Sequence, residues 1–164
     1  MVKSVPASEQ AQRSEQHSAP GRILAIDLGD RRMGLAMSDP LRLTAQGLPT
    51  VERRNRREDM NYLKSLARRN DVSAIIVGNP INMDGTAGPQ SIAASGFASR
   101  LGKHLALEVR LWDERLTSVQ ANRVLREAGL GPEQRAKAVD QVAAVLLLEN
   151  FLESLKTATS SGPG

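Results

Sequence analysis

The chain has no cysteine and few aromatic residues, with one Trp, one Tyr and two Phe among 164 residues. Without cysteine, disulfides and thiolate metal sites are excluded. The low aromatic content predicts a core made mostly of aliphatic side chains. A chain of this length is sufficient for one domain with a proper core.

Long apolar runs are also missing. No stretch is long enough to cross a bilayer. The polar start, Met1-Val2-Lys3-Ser4, has no apolar core of the kind that signal peptides carry. These features, with the missing cysteines, lead us to expect a cytoplasmic protein.

Acidic residues are fewer than basic ones, and the net charge is +4. Arginines occur in adjacent pairs at positions 31–32, 53–54, 56–57 and 68–69. Because guanidinium groups suit bidentate contact with phosphate, the pairs favour a nucleic-acid partner. The alternative is that they line solvated helix faces.

The ends of the chain differ from its middle. Residues 1–20 and 157–164 are rich in small and polar residues without periodicity, which predicts a disordered extension and a disordered tail. Residues 21–156 are predicted to form one α/β domain, a mixed five-stranded sheet with helices on both faces. The predicted strands are residues 23–27, 32–38, 43–51, 72–78 and 107–112. The predicted helices begin near residues 56, 89 and 117, and a last helix includes residues 139–151.

Acidic residues lie at points where a sheet would present them together. Asp27 ends the first strand, and Asp113 and Glu114 end the fifth. Asp140 interrupts a helical face that is otherwise Ala, Leu and Phe, where a charge is costly unless it is paired. If these strands are parallel, all the acids lie near the carboxyl edge of the sheet. The alternatives are that Asp27 caps a turn and Asp140 interacts with a helix macrodipole.

Converging carboxylates repel one another unless a cation joins them. Mg²⁺ or Mn²⁺ prefers such all-oxygen ligands. We interpret His17 and His104 as incidental, because one lies in the extension and the other near a helix end. A carboxylate metal site in a basic protein predicts phosphodiester hydrolysis.

Four segments resemble the motifs of the YqgF/RuvX family, and they occur in the family's order. They are DLGDRRMGLAMSD at 27–39, VGNPINMDG at 77–85, DERLTS at 113–118 and VDQVAAVLL at 139–147. The resemblance spans about residues 21–155. It implies an RNase H-like fold and a nuclease that processes the 5′ end of pre-16S ribosomal RNA in the cytoplasm. A Holliday-junction resolvase is the other function described for the family.

The resemblance assigns the catalytic acids to Asp27, Asp113 or Glu114, and Asp140. We favour Glu114 over Asp113 as the metal ligand beside Asp27 and Asp140, although strand pleating alone does not decide between them. Arg31, Arg32, Asn82 and Arg115 are candidate substrate-binding residues. Arg115 could equally pair with its acidic neighbours, and Asn82 could simply form a turn.

The sequence departs from the family pattern in two places. Position 79 is Asn where an apolar residue is usual, and its side chain could lie near the site or in a solvent-facing turn. Resolvase relatives also carry an acid on the fourth strand, whereas this strand ends at Gly78 without one.

Three functions fit these observations: a metal-dependent endonuclease acting on structured RNA, a resolvase-like nuclease acting on branched DNA, and a nucleic-acid-binding protein without catalysis. Because no aromatic platform for bases is evident, the sequence does not separate RNA from DNA. A nucleotide-binding fold of the actin type is disfavoured by the short chain.

Overall fold

The computed structural model describes residues 19–114 and 117–160. Its described part contains five strands and four helices. The strands are β1 (Arg22–Leu28), β2 (Arg32–Ser38), β3 (Ala45–Glu52), β4 (Val72–Asn79) and β5 (Glu108–Asp113). The helices are α1 (Arg56–Arg69), α2 (Pro89–Leu105), α3 (Thr117–Glu127) and α4 (Pro132–Ser160). None of the helices in these ranges has the length and apolar character needed to cross a lipid bilayer.

The strands form one mixed sheet in the order β3-β2-β1-β4-β5. β2 runs antiparallel to both β1 and β3. β4 is parallel to β1, and β5 is parallel to β4. The carboxyl ends of β1, β4 and β5 therefore meet at one edge of the sheet, as the sequence predicted.

Alternate residues of the sheet face two separate hydrophobic layers. Leu24 and Ile26 of β1 face α1 and α2, where Leu63 and Phe97 are buried. Ile23 and Ala25 face α4, and a second set of apolar residues is buried there. The residues of that second set on α4 are Ala144, Leu147, Leu148, Phe151 and Leu152. The prediction of helices on both faces is confirmed.

α1 starts with a side-chain cap at Asn55. The Asn55 side chain accepts a hydrogen bond from the Glu58 backbone N–H at 2.9 Å. This bond satisfies one of the donors that the first helical turn leaves unpaired.

β3 begins two residues later than predicted because Asp39 organises the preceding loop. One oxygen of its carboxylate accepts hydrogen bonds from the backbone N–H groups of Leu43 and Thr44, each at 2.7 Å. Arg42 takes a positive φ of 60° within this turn. Leu43 is consequently 59% exposed and lies outside the strand.

α4 continues to Ser160, so residues 157–160 of the predicted tail are helical. The hydroxyl of Thr157 donates a hydrogen bond to the Ser154 carbonyl at 2.9 Å, and that of Ser154 donates to the Phe151 carbonyl at 2.6 Å. These residues thus bond to the helix instead of breaking it. Residues 1–18 and 161–164, which the predicted extension and tail include, lie outside the described residues.

α4 approaches the sheet closely over β2 and β3. A Cβ atom on Gly34 would overlap the backbone carbonyl of Asp140. The Gln141 side-chain amide donates a hydrogen bond to the Leu48 carbonyl at 2.8 Å. α4 can approach the strand closely because Gly34 has no side chain and the buried residues Ala143 and Ala144 of the helix have small ones.

Candidate active site

Asp27 and Glu114 form the centre of the candidate site. Asp27 continues the face of β1 that packs against α4, since it follows Ile23 and Ala25 at the strand period of two. Glu114 follows β5 directly. The two side chains are hydrogen-bonded to each other, at the edge where parallel strands end.

Backbone contacts and a glycine hold Glu114 in this position. Its N–H donates a hydrogen bond to the Asn79 carbonyl at 3.2 Å. Its carboxyl group lies directly over Gly78, where a Cβ atom would overlap an oxygen of that group. Gly78, near the end of the fourth strand, has no side chain. The Glu114 carboxyl group occupies the space that a side chain at position 78 would need.

The carboxyl groups of Asp27 and Glu114 have different pKa values. Burial, reinforced by the negative charges of Asp27 and Asp113, raises the pKa of Glu114 to about 9. Burial also raises the pKa of Asp27 to about 6, against the lowering effect of its hydrogen bond to Glu114. The pair at neutral pH therefore holds one proton, which Glu114 donates to the Asp27 carboxylate.

Asp140 lies next to this pair. It sits on α4 with its carbonyl against Gly34, the residue of β2 that is paired with Asp27. The negative charge of Asp140 contributes to the raised pKa of Asp27, after burial. A salt bridge joins an oxygen of its carboxylate to Nε of Arg32 at 3.3 Å.

The position of Asp140 in α4 excludes an interaction with the helix macrodipole. α4 starts at Pro132, so Asp140 lies about two turns inside the helix. The macrodipole acts only on the first turn and does not account for it. Within the described residues, no group of three or more His, Cys, Asp or Glu side chains is arranged closely enough to hold a metal ion. The structure thus brings Asp27 and Glu114 into contact, and it holds Asp140 beside them on Arg32.

Asp113 and Glu114 point in different directions, as strand pleating predicts. Asp113 is the last residue of β5, is exposed, and is paired in register with Asn79. Its charge reaches Glu114, whose pKa it helps to raise. Asp113 therefore acts on the partly buried pair from the exposed surface.

The predicted substrate-binding residues fall into different places. Arg31 and Arg32 are exposed at the turn after β1, and Arg32 contacts Asp140. The Asn82 side chain donates a hydrogen bond to the Thr86 hydroxyl at 3.0 Å, which makes it a turn-forming residue. Arg115 lies outside the described residues.

Asn79, the first departure from the family pattern, is part of the site's support. Its side-chain oxygen accepts a hydrogen bond from the Ser91 hydroxyl at 2.6 Å, which joins the end of β4 to the first turn of α2. Its carbonyl accepts hydrogen bonds from both Ile81 and Glu114. The sequence did not predict that Gly78 and Asn79 would support Glu114. The only signal for them was a glycine followed by an amide where the strand ends.

A partly buried carboxyl pair that shares one proton offers oxygen ligands to a cation that replaces the proton. The carboxylates of Asp27 and Glu114 suit a hard divalent ion such as Mg²⁺ or Mn²⁺. Asp140 would supply a further oxygen after release from Arg32. The pair therefore presents oxygen atoms of the kind that the predicted ion prefers, and Asp140 lies next to it.

Comparison with known proteins identifies the family of the chain. The family model for RuvX, described as Holliday junction resolvase, matches residues 21–154. The chain belongs to the RuvX family. The resemblance found in the four motifs is confirmed.

Two curated relatives and one solved structure illustrate the similarity. The proteins named "Putative pre-16S rRNA nuclease" from Koribacter versatilis and Clostridium botulinum are 49% and 45% identical to this chain. The first match covers 85% of this chain and 91% of the relative, and the second covers 82% and 98%. The fowlpox virus Holliday junction resolvase has a similar fold, with a TM-score of 0.52 at 16% identity over 82% of this chain and 99% of that one.

These matches establish the general class of this RuvX-family chain. Its five-stranded mixed sheet with helices on both faces is an RNase H-like fold, as predicted. The names of the family and its relatives indicate a nuclease, a hydrolase that acts on phosphodiester bonds.

Proposed function

We propose that this protein is a divalent-metal-dependent endonuclease that processes the 5′ end of pre-16S ribosomal RNA during ribosome biogenesis. The contact between Asp27 and Glu114 at the carboxyl edge of the sheet is the observation that carries the proposal. The names of the curated relatives support the choice of substrate. Bacterial ribosomes are assembled in the cytoplasm, so a cytoplasmic location belongs to the same proposal.

Asp27, Glu114 and Asp140 are the proposed metal ligands, and Mg²⁺ or Mn²⁺ is the proposed ion. When bound, such an ion activates water and stabilises the leaving oxygen of the phosphodiester. To hold it, Glu114 and Asp27 would release their shared proton to the solvent. Asp113 remains a candidate catalytic residue that raises the proton affinity of Glu114 from the exposed side.

The arginines around the site supply the charge that a phosphate backbone needs. Arg32 is 43% exposed and reaches Asp140, so it can exchange that carboxylate for a substrate phosphate. Arg31 is exposed on the same turn. We include both residues, with Arg115 and Asn82, as the proposed substrate-binding set. Arg115 has no described position, and Asn82 would act by shaping its loop.

The test is cleavage by purified Asp27→Asn protein with Mg²⁺, compared with wild type and with Asp71→Asn. Asp71 lies at the opposite edge of the sheet, before β4, and its positive φ of 53° is a conformation that Asn tolerates. We expect wild type and Asp71→Asn to cut an RNA spanning the 5′ end of 16S rRNA, and Asp27→Asn to lose the activity. Equal cleavage by all three proteins would refute the assignment.

Branched DNA is the second candidate substrate, because the matching family model is described as a Holliday junction resolvase. Resolvases cut symmetrically as dimers. The same three proteins should therefore be assayed on a four-way DNA junction, with oligomeric state measured in solution. Symmetric junction cleavage by a dimer, with no cleavage of the RNA, would favour this candidate. Nucleic-acid binding with no cleavage of either substrate would instead favour the non-catalytic alternative.

A further inference from the structure

A pocket rich in arginine lies at the same edge of the sheet as the acidic pair, on the face covered by α1 and α2. Its volume is about 340 Å³. Four guanidinium side chains and two carboxylates are among the residues that line it. They are Arg53, Arg54, Arg56, Arg100, Asp30 and Asp59. The charged groups leave an excess of two positive charges, which favours an anionic occupant.

Arg53 forms the fixed base of this pocket. One terminal nitrogen donates a hydrogen bond to the Gly29 carbonyl at 2.8 Å, and its guanidinium carbon lies 6.0 Å from the centre of the Phe97 ring. Its Nε is 3.5 Å from an Asp59 oxygen but buried without a hydrogen-bond acceptor anywhere in the described ranges. Arg53 is thus a positive group held in place by a backbone acceptor, an acidic neighbour and an aromatic ring.

The remaining arginines are free to approach an anion. Arg54, Arg56 and Arg100 are exposed. A Cβ on Gly96 would lie 3.2 Å from a terminal nitrogen of Arg100, so the glycine leaves room for this side chain to fold back along α2. The pocket therefore combines one rigid guanidinium with three that can adjust to phosphate oxygens.

The position of the pocket relates it to the acidic pair. Asp30, which lines it, is three residues after Asp27, so the chain itself limits the separation of their Cα atoms to about 11 Å. Asp27 faces α4, whereas the pocket opens on the α1 and α2 side. A nucleic-acid strand crossing the end of β1 would pass both.

We propose that this arginine pocket binds a backbone phosphate of the nucleic-acid substrate, neighbouring the phosphodiester placed at Asp27 and Glu114. The inference rests on the proposed nuclease function and adds a second point of attachment to it. The phosphate would bond Arg53 and the exposed arginines together. It would fix the register of the strand without reading its sequence.

The experiment compares two double variants with equal loss of charge on the same two helices. Arg56→Gln/Arg100→Gln removes pocket residues, whereas Arg57→Gln/Lys103→Gln removes exposed charges that do not line the pocket. Binding of a labelled RNA duplex is measured by fluorescence anisotropy at several salt concentrations, without divalent metal so that no cleavage intervenes. Circular dichroism melting checks that both variants are folded.

We expect the pocket variant to bind about tenfold more weakly near physiological ionic strength. Its plot of log K against log salt should be shallower by about 0.9, the value for one lost phosphate contact. The control variant should keep the wild-type slope. Equal slopes for the two variants would overturn the assignment. Displacement of RNA from wild type, but not from the pocket variant, by submillimolar adenosine monophosphate would overturn it in favour of a free nucleotide.

The failure of this inference is distinguishable from failure of the proposed function. If wild type binds and cuts RNA while the two variants behave alike, only the pocket assignment is wrong. If wild type binds no nucleic acid, the pocket assignment and the nuclease proposal are both wrong.

Discussion

The carboxyl group of Glu114 is hydrogen-bonded to that of Asp27, so two acids from different parts of the sequence hold one proton between them. Parallel pairing of β1, β4 and β5 brings them to one edge, and Gly78 leaves the space that the Glu114 side chain fills. Neighbouring Asp113 is paired with Asn79 and stays exposed. The two adjacent acids should therefore differ in function.

Replacing these acids one at a time tests this difference. Glu114→Gln should lower RNA cleavage at least about 100-fold, because it removes a proposed metal ligand from the acidic pair. Asp113→Asn should lower it only about tenfold, since the exposed side chain acts on Glu114 through its charge. Initial cleavage rates at saturating Mg²⁺ measure both effects. The reverse order of the two losses would identify Asp113 as the ligand.

The raised pKa of Glu114 predicts how the metal-free protein responds to pH. Between the ordinary pKa of 4.5 and the folded value of about 9, the folded state binds more protons than the unfolded state. The free energy of unfolding should therefore fall as pH rises through this range, by at most about 1.4 kcal/mol per pH unit for this one group. Asp27 adds to the same trend only up to about pH 6.

Urea unfolding in EDTA from pH 5 to pH 9 measures the trend. Glu114→Gln is the control, since an amide does not titrate, and its stability should change less between pH 6 and pH 9. The lowered pKa values of Asp39 and Asp84 do not interfere, because both groups titrate at more acidic pH. A wild-type stability that stays level or rises between pH 6 and pH 9 would contradict the shared proton.

The strand pattern was sufficient to predict the sheet and its parallel edge, but it did not decide whether Asp113 or Glu114 meets Asp27. Period-two burial and the capping box at Asn55 are local signals, which a sequence carries directly. The loop held by Asp39 was not predictable in the same way, since its effect depends on which backbone N–H groups its carboxylate reaches.

The sequence was less informative about distances between elements. It indicated that Asp140 faces the sheet, but not that Arg32 would hold its carboxylate. The only sign of the arginine pocket in the sequence was the pairs of adjacent arginines. The two members of one pair lie in different places, one in the pocket and the other on the open helix surface. Arg56 lines the pocket and Arg57 does not. Which of two adjacent arginines faces the pocket depends on how the helix is rotated about its axis. A pair of identical residues does not predict this rotation.

The close contact of α4 with β2 predicts an unusually sensitive glycine. Gly34→Ala should destabilise the protein by about 3 kcal/mol, because the new Cβ would overlap the rigid carbonyl of Asp140 and push α4 away. Gly102→Ala is the matched control. Gly102 lies within α2, where Ala is the better helix former, and its Cβ would meet only ordinary contacts, from 3.5 Å, with Leu107 and Val109. Urea unfolding should show a large loss for Gly34→Ala, and no loss or a small gain for Gly102→Ala. Equal stabilities would mean that α4 does not lie this close to the strand.

Proton release on metal binding is the most direct test of the acidic pair. At pH 7 the pair holds one proton, which Glu114 must give up before both carboxylates can coordinate a cation. Calorimetric titration with Mn²⁺ in buffers of different ionisation enthalpy should therefore report about one proton released per ion bound. The apparent affinity should rise about tenfold per pH unit between pH 6 and pH 8. Glu114→Gln should bind more weakly and release almost no protons, while Asp71→Asn should match wild type. Binding without proton release in the wild-type protein would place the ion away from Asp27 and Glu114.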